Sequence, residues 1–410
     1  MDVICHPSRL RGEINAIPSK SDAHRKLICA ALSDCPSVLK ISTPYCDDIA
    51  ATIRCLETLG AKFGQSADGL HITPIKGQNI CKHVVLDCGE SGSTFRFFLP
   101  MAAALCDSAE FRGSGRLPNR PISELAKAME QHGVTFSSYH LPFSISGKLR
   151  GGSYEIAGNI SSQYLTGLLL ALPLCSENSK IIVTTSLQSL PYVEMTLASL
   201  YQSKISIEKN EYREFVIAGN QKYHVDPVIQ MECDWSNAAF WLGANAIGNQ
   251  ICLNNLSMDS KQGDKEISSI LHDFSDLNSD VTVDMEQIPD LLPILAVCAS
   301  FRNAKTQFVN ASRLRLKESD RIASVAAMLR ALGGNVEEFP DSMCVYGCDL
   351  TGGSVDSCGD HRIAMSAAIA AVGCKKDVII HGAECVKKSY PRFFEDYQML
   401  GGKCDVVDIW

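Results

Sequence analysis

Polar or glycine-rich turns that open apolar helices recur along the chain at Ser21, Gly92, Ser162, Asp234, Asp290 and His361, at intervals of 71, 70, 72, 56 and 71 residues. Self-similarity at a fixed period marks a repeated supersecondary unit. A second, amphipathic helix is predicted after each turn, ending near Leu59, His132, Gln202, Leu277, Leu332 and Leu400. Over 46–59, Ile49, Ile53, Leu56 and Leu59 fall three or four residues apart, and 317–332 repeats this through Ile322, Val325, Leu329 and Leu332, the spacing of one buried helix face. Glycine often follows, as a helix C-cap requires.

Short β-rich runs such as 181–185, 214–217 and 377–380 lie between the helices, so each unit reads as strands plus two helices. The first helix of each unit is apolar enough to be central and the second is one-sided enough to pack outside it. Six units make an α/β chain, and three per domain would close each core. A pseudo-symmetric pair of such domains would aim several helix N-termini at one cleft, where orphan N–H groups attract anions. The segment 277–290 spans only 13 residues where the other junctions take about 30, which predicts a lost hairpin between the fourth and fifth units.

Composition narrows the function. A length of 410 residues fits two or three domains. Thirty-eight Lys and Arg against 46 Asp and Glu give a net charge of −8, which argues against a nucleic-acid or anionic-membrane surface. The apolar run 165–175 is too short to span a bilayer. The first 17 residues lack the basic start, apolar core and small-residue cleavage site of a targeting segment, so a cytoplasmic location is expected. Eighteen cysteines without a Cys-x-x-Cys pair read as reduced thiols. Cys344, Cys348, Cys358 and His361 have spacings that could ligate zinc, but Asp360 and Arg362 place His361 in a different motif, and no metal is expected.

The turns carry the chemistry. Pro18-Ser19-Lys20-Ser21 puts a lysine and a hydroxyl at a helix start with Arg25 one turn on, a geometry suited to phosphate or carboxylate and equally to a capped, charged surface. Gly89-Glu90-Ser91-Gly92-Ser93-Thr94 can present backbone N–H groups, with Arg96 in the first turn. Arg116 and Arg120 sit in a rigid loop before Pro121. Ser161-Ser162-Gln163 and Ser189-Leu190-Pro191-Tyr192 precede further helices. Lys317 and Arg321 share a predicted helix face beside Glu318, Asp360-His361-Arg362 opens another helix, and Lys387-Lys388-Ser389-Tyr390-Pro391 lies near the end. Nine of 38 basic residues gather at these turns, so an acidic chain concentrates cations for two anionic substrates. No Walker-type loop, dinucleotide fingerprint or nucleophile elbow is present, and cofactor-free group transfer fits best. Asp290 and Glu318 are the candidate proton movers, with Lys20 and His361 in reserve.

Pro-Ser-Lys-Ser, Gly-x-Ser-Gly-Ser-Thr, Arg-Pro-Ile, Ser-Ser-Gln-Tyr-Leu-Thr-Gly, Pro-Tyr-Val-x-Met-Thr-Leu, Lys-Glu-Ser-Asp-Arg, Asp-His-Arg-Ile-Ala-Met and Lys-Ser-Tyr-Pro together closely resemble the 5-enolpyruvylshikimate-3-phosphate synthase family. The resemblance implies an α/β (α+β) fold of two domains, each of three βαβαββ units in an inside-out α/β barrel. One domain would comprise 1–18 with 232–410 and the other 19–231, with the active site in the cleft between them. It implies transfer of enolpyruvyl from phosphoenolpyruvate to the 5-hydroxyl of shikimate 3-phosphate through a tetrahedral intermediate, without cofactor, by a cytoplasmic monomer of aromatic amino-acid biosynthesis.

By the same resemblance, Lys20, Ser21, Arg25, Ser161, Ser162, Gln163, Ser189, Tyr192, Asp290 and Lys317 hold shikimate 3-phosphate. Lys20, Gly92, Arg120, Gln163, Arg321, Arg362 and Lys388 hold phosphoenolpyruvate, with Arg96 and His361 in support. Asp290 takes the 5-hydroxyl proton and Glu318 protonates the methylene carbon. Glu90, Ser93 and Arg313 depart from the family pattern. The related UDP-N-acetylglucosamine 1-carboxyvinyltransferase shares fold and donor, but Lys20-Ser21 and Ser161-Ser162-Gln163 argue against it. A non-catalytic anion-binding relic would be expected to lack Asp290, Glu318 or Lys388, and all three are present.

Overall fold

The computed structural model describes residues 1–75 and 82–407. They form two compact units, one built of Met1–Ser19 with Cys233–Trp410 and the other of Lys20–Glu232. Helices come in pairs. In the Lys20–Glu232 unit they are α1 (Lys20–Leu32) with α2 (Asp47–Thr58), α3 (Gly92–Leu105) with α4 (Ser123–Glu130), and α5 (Ser162–Ala171) with α6 (Leu190–Gln202). In the other unit they are α7 (Trp235–Ala246) with α8 (Ile267–Asp273), α9 (Leu292–Ser300) with α10 (Arg321–Ala331), and α11 (His361–Ala371) with α12 (Phe393–Met399).

The first member of each pair is the more buried one. Every residue of α9 and of α11 is buried, whereas α2 buries alternate turns through Ile49, Thr52, Cys55 and Leu56. Gly167 sets how closely α5 lies on α3, because a Cβ there would run into the Arg96 carbonyl and come within 3.0 Å of Pro100 Cγ. Four of the second helices end in glycines with positive φ, namely Gly60, Gly133, Gly333 and Gly401.

Five of the six sheets among the described residues have one plan: a parallel pair followed by an antiparallel hairpin. In the third unit Ser153–Ile156 runs parallel to Ser179–Val183, which pairs antiparallel with Glu214–Ile217 and through it Ile207–Asn210. The sixth sheet is completed by the chain's own beginning: Asp2–His6 takes the hairpin place between Val378–His381 and Lys403–Val407. The exception is the fourth, where Gln250–Asn254 pairs parallel with Arg11–Asn15 and the sheet stops at two strands. The short 277–290 junction is that missing hairpin.

Two expectations need correction. Lys317 and Glu318 are not helical: Asp320 caps α10 by accepting from Ala323 N at 3.1 Å, so the helix starts at Arg321 and Lys317 is extended (φ −85°, ψ −161°). A side-chain cap satisfies an orphan N–H that a longer helix would have bonded internally. The fourth unit's second helix also ends early, at Asp273 rather than near Leu277.

Candidate active site

In the Lys20–Glu232 unit, three helix starts are tied together by side chains. Lys20, the first residue of α1, donates from Nζ to Asp48 Oδ2 at 2.9 Å, in the first turn of α2. One turn along α1, His24 Nδ1 meets Thr52 Oγ1 at 2.7 Å. Thr52 continues to Thr94 Oγ1 at 2.7 Å, and Thr94 to Ser91 Oγ at 2.8 Å, the cap of α3. Burial pushes the His24 imidazole down to about 3, so this link is neutral and adds no charge beside Lys20. Arg25 is buried with its guanidinium donating to Thr196 Oγ1 (2.9 Å), the Ser21 carbonyl (2.5 Å) and the Tyr192 carbonyl (2.8 Å). Burial draws it down to about 10, against the opposing pull of Asp22, and it stays cationic at neutral pH.

The α3 and α5 starts share a second cluster. Arg96 donates from Nη1 to Gln163 Oε1 (2.7 Å) and from Nη2 to the Pro121 carbonyl (3.2 Å). Gln163 Nε2 in turn donates to Ser93 Oγ at 3.0 Å, which fixes the orientation of the amide. Ser161 caps α5 by accepting from Gln163 N at 3.3 Å, and Ser162 beside it is buried. Gly92 lets two guanidinium groups come close: a Cβ on it would lie 2.9 Å from Arg120 Cζ and 3.0 Å from Arg96 Nη1. Two guanidinium groups therefore crowd one helix N-terminus, where the dipole favours an anion. Ser189 precedes α6 in the left-handed conformation (φ 55°), and Glu90 lies against Gly115.

In the other unit, charge is gathered around Arg321, which is 1% exposed. Its Nε donates to Asp360 Oδ2 (2.8 Å), Nη1 to Asp290 Oδ1 (2.5 Å) and Nη2 to Glu318 Oε2 (2.7 Å). Asp290, two residues before α9, also faces Lys317 Nζ at 3.5 Å and Arg362 Nη2 at 3.3 Å, while Arg362 Nη1 donates to its carbonyl at 3.2 Å. Burial alone would raise the Asp290 carboxyl, but Arg362, Lys317 and Arg321 hold it well below the ordinary carboxylate range. Burial is also what brings Lys317 down to about 8, with Asp290 opposing. Asp360 accepts from Arg362 N at 3.0 Å as the cap of α11 and from Ser319 Oγ at 3.1 Å. His361 and Lys388 are buried.

Each unit thus assembles one part of the expected set: Lys20, Ser21, Arg25, Gly92, Arg96, Arg120, Ser161, Ser162, Gln163, Ser189 and Tyr192 belong to the first unit, and Asp290, Lys317, Glu318, Arg321, His361, Arg362 and Lys388 to the second. Sequence reasoning gave no role to Asp48, Thr52 or Thr94, nor to Asp360 as the anchor of Arg321. The only local signal for Asp48 was an acidic pair opening a helix. Among the described residues, Cys344, Cys348, Cys358 and His361 do not gather their donor atoms around one point. No helix of the described residues is long and apolar enough to cross a membrane.

The family model of EPSP synthase (3-phosphoshikimate 1-carboxyvinyltransferase) matches residues 4–397. A protein of Clostridium perfringens (strain 13 / Type A) named 3-phosphoshikimate 1-carboxyvinyltransferase is 41% identical over 423 aligned residues, covering 98% of this chain and 98% of its own. One of the same name from Clostridioides difficile (strain 630) is 40% identical over 428, covering 98% and 97%. An EPSP synthase structure from Acinetobacter baumannii superposes with a TM-score of 0.80 at 21% identity, covering 99% of this chain and 100% of that one. The enolpyruvyl transferase NikO from Streptomyces tendae superposes at 0.77 and 15%, covering 98% of each. The last two are similar in fold.

Proposed function

The chain belongs to the EPSP synthase (3-phosphoshikimate 1-carboxyvinyltransferase) family, and from that premise we propose that it moves the enolpyruvyl group of phosphoenolpyruvate onto the 5-hydroxyl of shikimate 3-phosphate. The observation that carries the reading is the Asp290 carboxylate, kept ionised among Arg321, Arg362 and Lys317. In the addition step the 5-hydroxyl oxygen bonds to C2 of phosphoenolpyruvate, Asp290 takes the hydroxyl proton, and Glu318 delivers a proton to the methylene carbon. In the elimination step the C2–O bond to phosphate breaks, the departing phosphate takes the proton held by Asp290, the Glu318 carboxylate takes back a proton from the new methyl group, and the enol ether and phosphate are released.

The cations time this chemistry. A carboxylate held far below its ordinary pKa is a weak base. When the phosphoenolpyruvate carboxylate and phosphate take over Arg321 and Arg362, Asp290 loses the partners that depress it and its basicity rises. Substrate binding thereby activates the base, and positioning with charge stabilisation supplies most of the remainder.

The other assignments follow the helix starts. Lys20, Arg120, Gln163 and Lys388 join Arg321 and Arg362 on phosphoenolpyruvate. Ser21, Arg25, Ser161, Ser162, Ser189, Tyr192 and Lys317 join Lys20, Gln163 and Asp290 on shikimate 3-phosphate. Arg96 supports by orienting the Gln163 amide. We take the working form to be a cytoplasmic monomer needing no cofactor, which gel filtration of the active protein checks.

The test is phosphate release from phosphoenolpyruvate with shikimate 3-phosphate and, in parallel, with UDP-N-acetylglucosamine. Release with the first acceptor alone is the expected result. Release with only the nucleotide sugar would transfer the assignment to the sister enzyme, and none with either would reduce the chain to an anion binder.

Two further outcomes follow from the geometry. Gly92→Ala puts a methyl against the Arg120 guanidinium, so that the cation assigned to phosphoenolpyruvate must turn aside. The KM for phosphoenolpyruvate is expected to rise about tenfold or more with little change for shikimate 3-phosphate. An unchanged KM would disconnect Arg120 from that substrate. Lys317, at about 8, is protonated below that pH and neutral above it. Hence kcat/KM for shikimate 3-phosphate should fall as pH rises through about 8, and Lys317→Arg should carry the limb upward. A limb that stays in place in Lys317→Arg belongs to another group.

A further inference from the structure

Among the described residues, one group of three side chains gathers metal-ligand donor atoms around a point: Asp34, Cys35 and His224, whose donor atoms all lie within 4.8 Å of one another. The reaction above uses none of them. Asp34 Oδ1 faces His224 Nδ1 at 2.8 Å, and Cys35 Sγ faces the same nitrogen at 4.0 Å. In a nucleophile–base–carboxylate relay the thiol and the carboxylate take opposite ring nitrogens. Here both converge on Nδ1, which rules out a relay and leaves the arrangement of ligands around a cation. As an ion pair alone the Asp34–His224 contact would do little, because its side chains are 57% and 49% exposed.

The backbone builds this convergence. Asp34 and Cys35 directly follow α1. On either side of His224, the Tyr223 carbonyl accepts from Asp34 N at 3.1 Å and Val225 N donates to Ser33 Oγ at 3.2 Å. His224 N itself donates to the carbonyl of Ser203, just past α6, at 3.0 Å, and the buried Tyr223 hydroxyl donates to the Leu170 carbonyl at 2.7 Å. Both ligand-bearing segments are therefore held in place by bonds that do not involve the three donors. The segment that carries His224 runs on into Val228–Ile229, which is paired with Val38 and Leu39 over two residues only, so it is the weakly fastened partner.

We propose that Asp34, Cys35 and His224 bind a divalent cation of the zinc class, which fastens the segment 223–225 to the end of α1. Thiolate, imidazole and carboxylate with a fourth position left to water form a zinc donor set, whereas calcium and magnesium take oxygen ligands. With Zn–S of about 2.3 Å and Zn–N of about 2.0 Å, a tetrahedral ion holds sulfur and nitrogen about 3.5 Å apart. The present 4.0 Å and 2.8 Å bracket that spacing, so each exposed side chain moves by about half an ångström to reach a tetrahedral vertex. The Cys35 thiol, which donates to the Val225 carbonyl at 3.4 Å, gives its proton to water as the metal–sulfur bond forms. His224 binds through Nδ1 with its proton on Nε2, and Asp34 supplies one oxygen. Helix α1 has 13 residues, about 20 Å at 1.5 Å per residue, and Lys20 stands at its other end, so the ion is structural and takes no part in the group transfer.

The test strips the full-length protein with a chelator and titrates it with Co2+, whose thiolate complexes absorb in the near ultraviolet. The wild type is expected to develop a sulfur-to-cobalt charge-transfer band that saturates at one equivalent and is bleached by Zn2+. Cys35→Ser should abolish the band. Asp34→Asn and His224→Ala should each weaken binding by at least about 10–100-fold, the loss typical of outer-shell partners alone. Cys252→Ser, at an exposed thiol outside the group, should leave the band unchanged. Zn2+ should raise the urea midpoint of the wild type and not that of Cys35→Ser. The metal-free midpoints of the two should coincide, so that a lost band reports a lost ligand rather than a lost fold. No band in the wild type, or a band that survives Cys35→Ser at full strength, overturns the site. A band that depends on Cys35 while Zn2+ leaves the wild-type midpoint in place overturns the fastening role.

Discussion

Asp290→Asn is expected to lower kcat for phosphate release by about 10²–10⁴, the usual contribution of a positioned general base, without raising the KM for phosphoenolpyruvate. The carboxamide keeps the shape of the side chain but cannot take the 5-hydroxyl proton. Its effect on binding runs the other way. Asp290 engages Arg321, Arg362 and Lys317, so the substitution releases three cations from an internal partner that an anionic substrate must otherwise displace. Arg321 remains compensated by Asp360 and Glu318, and the variant should fold. Steady-state kinetics with each substrate varied separates the two effects. A kcat within about tenfold of wild type would remove Asp290 from proton transfer, and a phosphoenolpyruvate KM that rose in parallel would mean that freeing the cations does not favour the anionic substrate.

The six helix starts were legible because each places a polar cap before an apolar run, a local signal repeated at near-constant spacing. The lost hairpin was legible for the same reason, as a deficit of length before Asp290. Partnerships across the chain were not. Lys20 and Asp48 lie in different helices, as do Arg321 and Asp360 at the starts of α10 and α11, and no periodicity links residues that meet only when separate helix starts converge. The non-helical Lys317-Glu318 stretch was misread because Lys317 and Arg321, four residues apart, fit a helix face, while the stronger determinant was the Asp320 cap. Capping decides where a helix starts; the pattern of charges decides only which face it would present.

Asp360→Ala is expected to cost about 3–5 kcal/mol of unfolding free energy, the range for removing one partner of a buried ion pair. Burial would lower the Arg321 pKa, and Asp360, Glu318 and Asp290 together reverse that and hold it well above its ordinary value. Asp360 bonds Arg321 Nε, accepts the Ser319 hydroxyl and caps α11. Its loss therefore leaves a fully buried guanidinium short of one charge and a helix start short of one acceptor, the latter worth about 1 kcal/mol by itself. Asp360→Asn retains a side-chain oxygen that can still cap the helix, and so should lose less. Lys375→Ala is the control, because Lys375 and Asp349 form a pair 62% and 80% exposed, and surface pairs of that kind contribute about 0–1 kcal/mol. Urea unfolding of the three variants ranks them: Asp360→Ala well below Asp360→Asn, and Lys375→Ala close to wild type. An Asp360→Ala protein as stable as Lys375→Ala would mean that Asp290 and Glu318 suffice for Arg321, and that the arginine is held for catalysis at no structural cost.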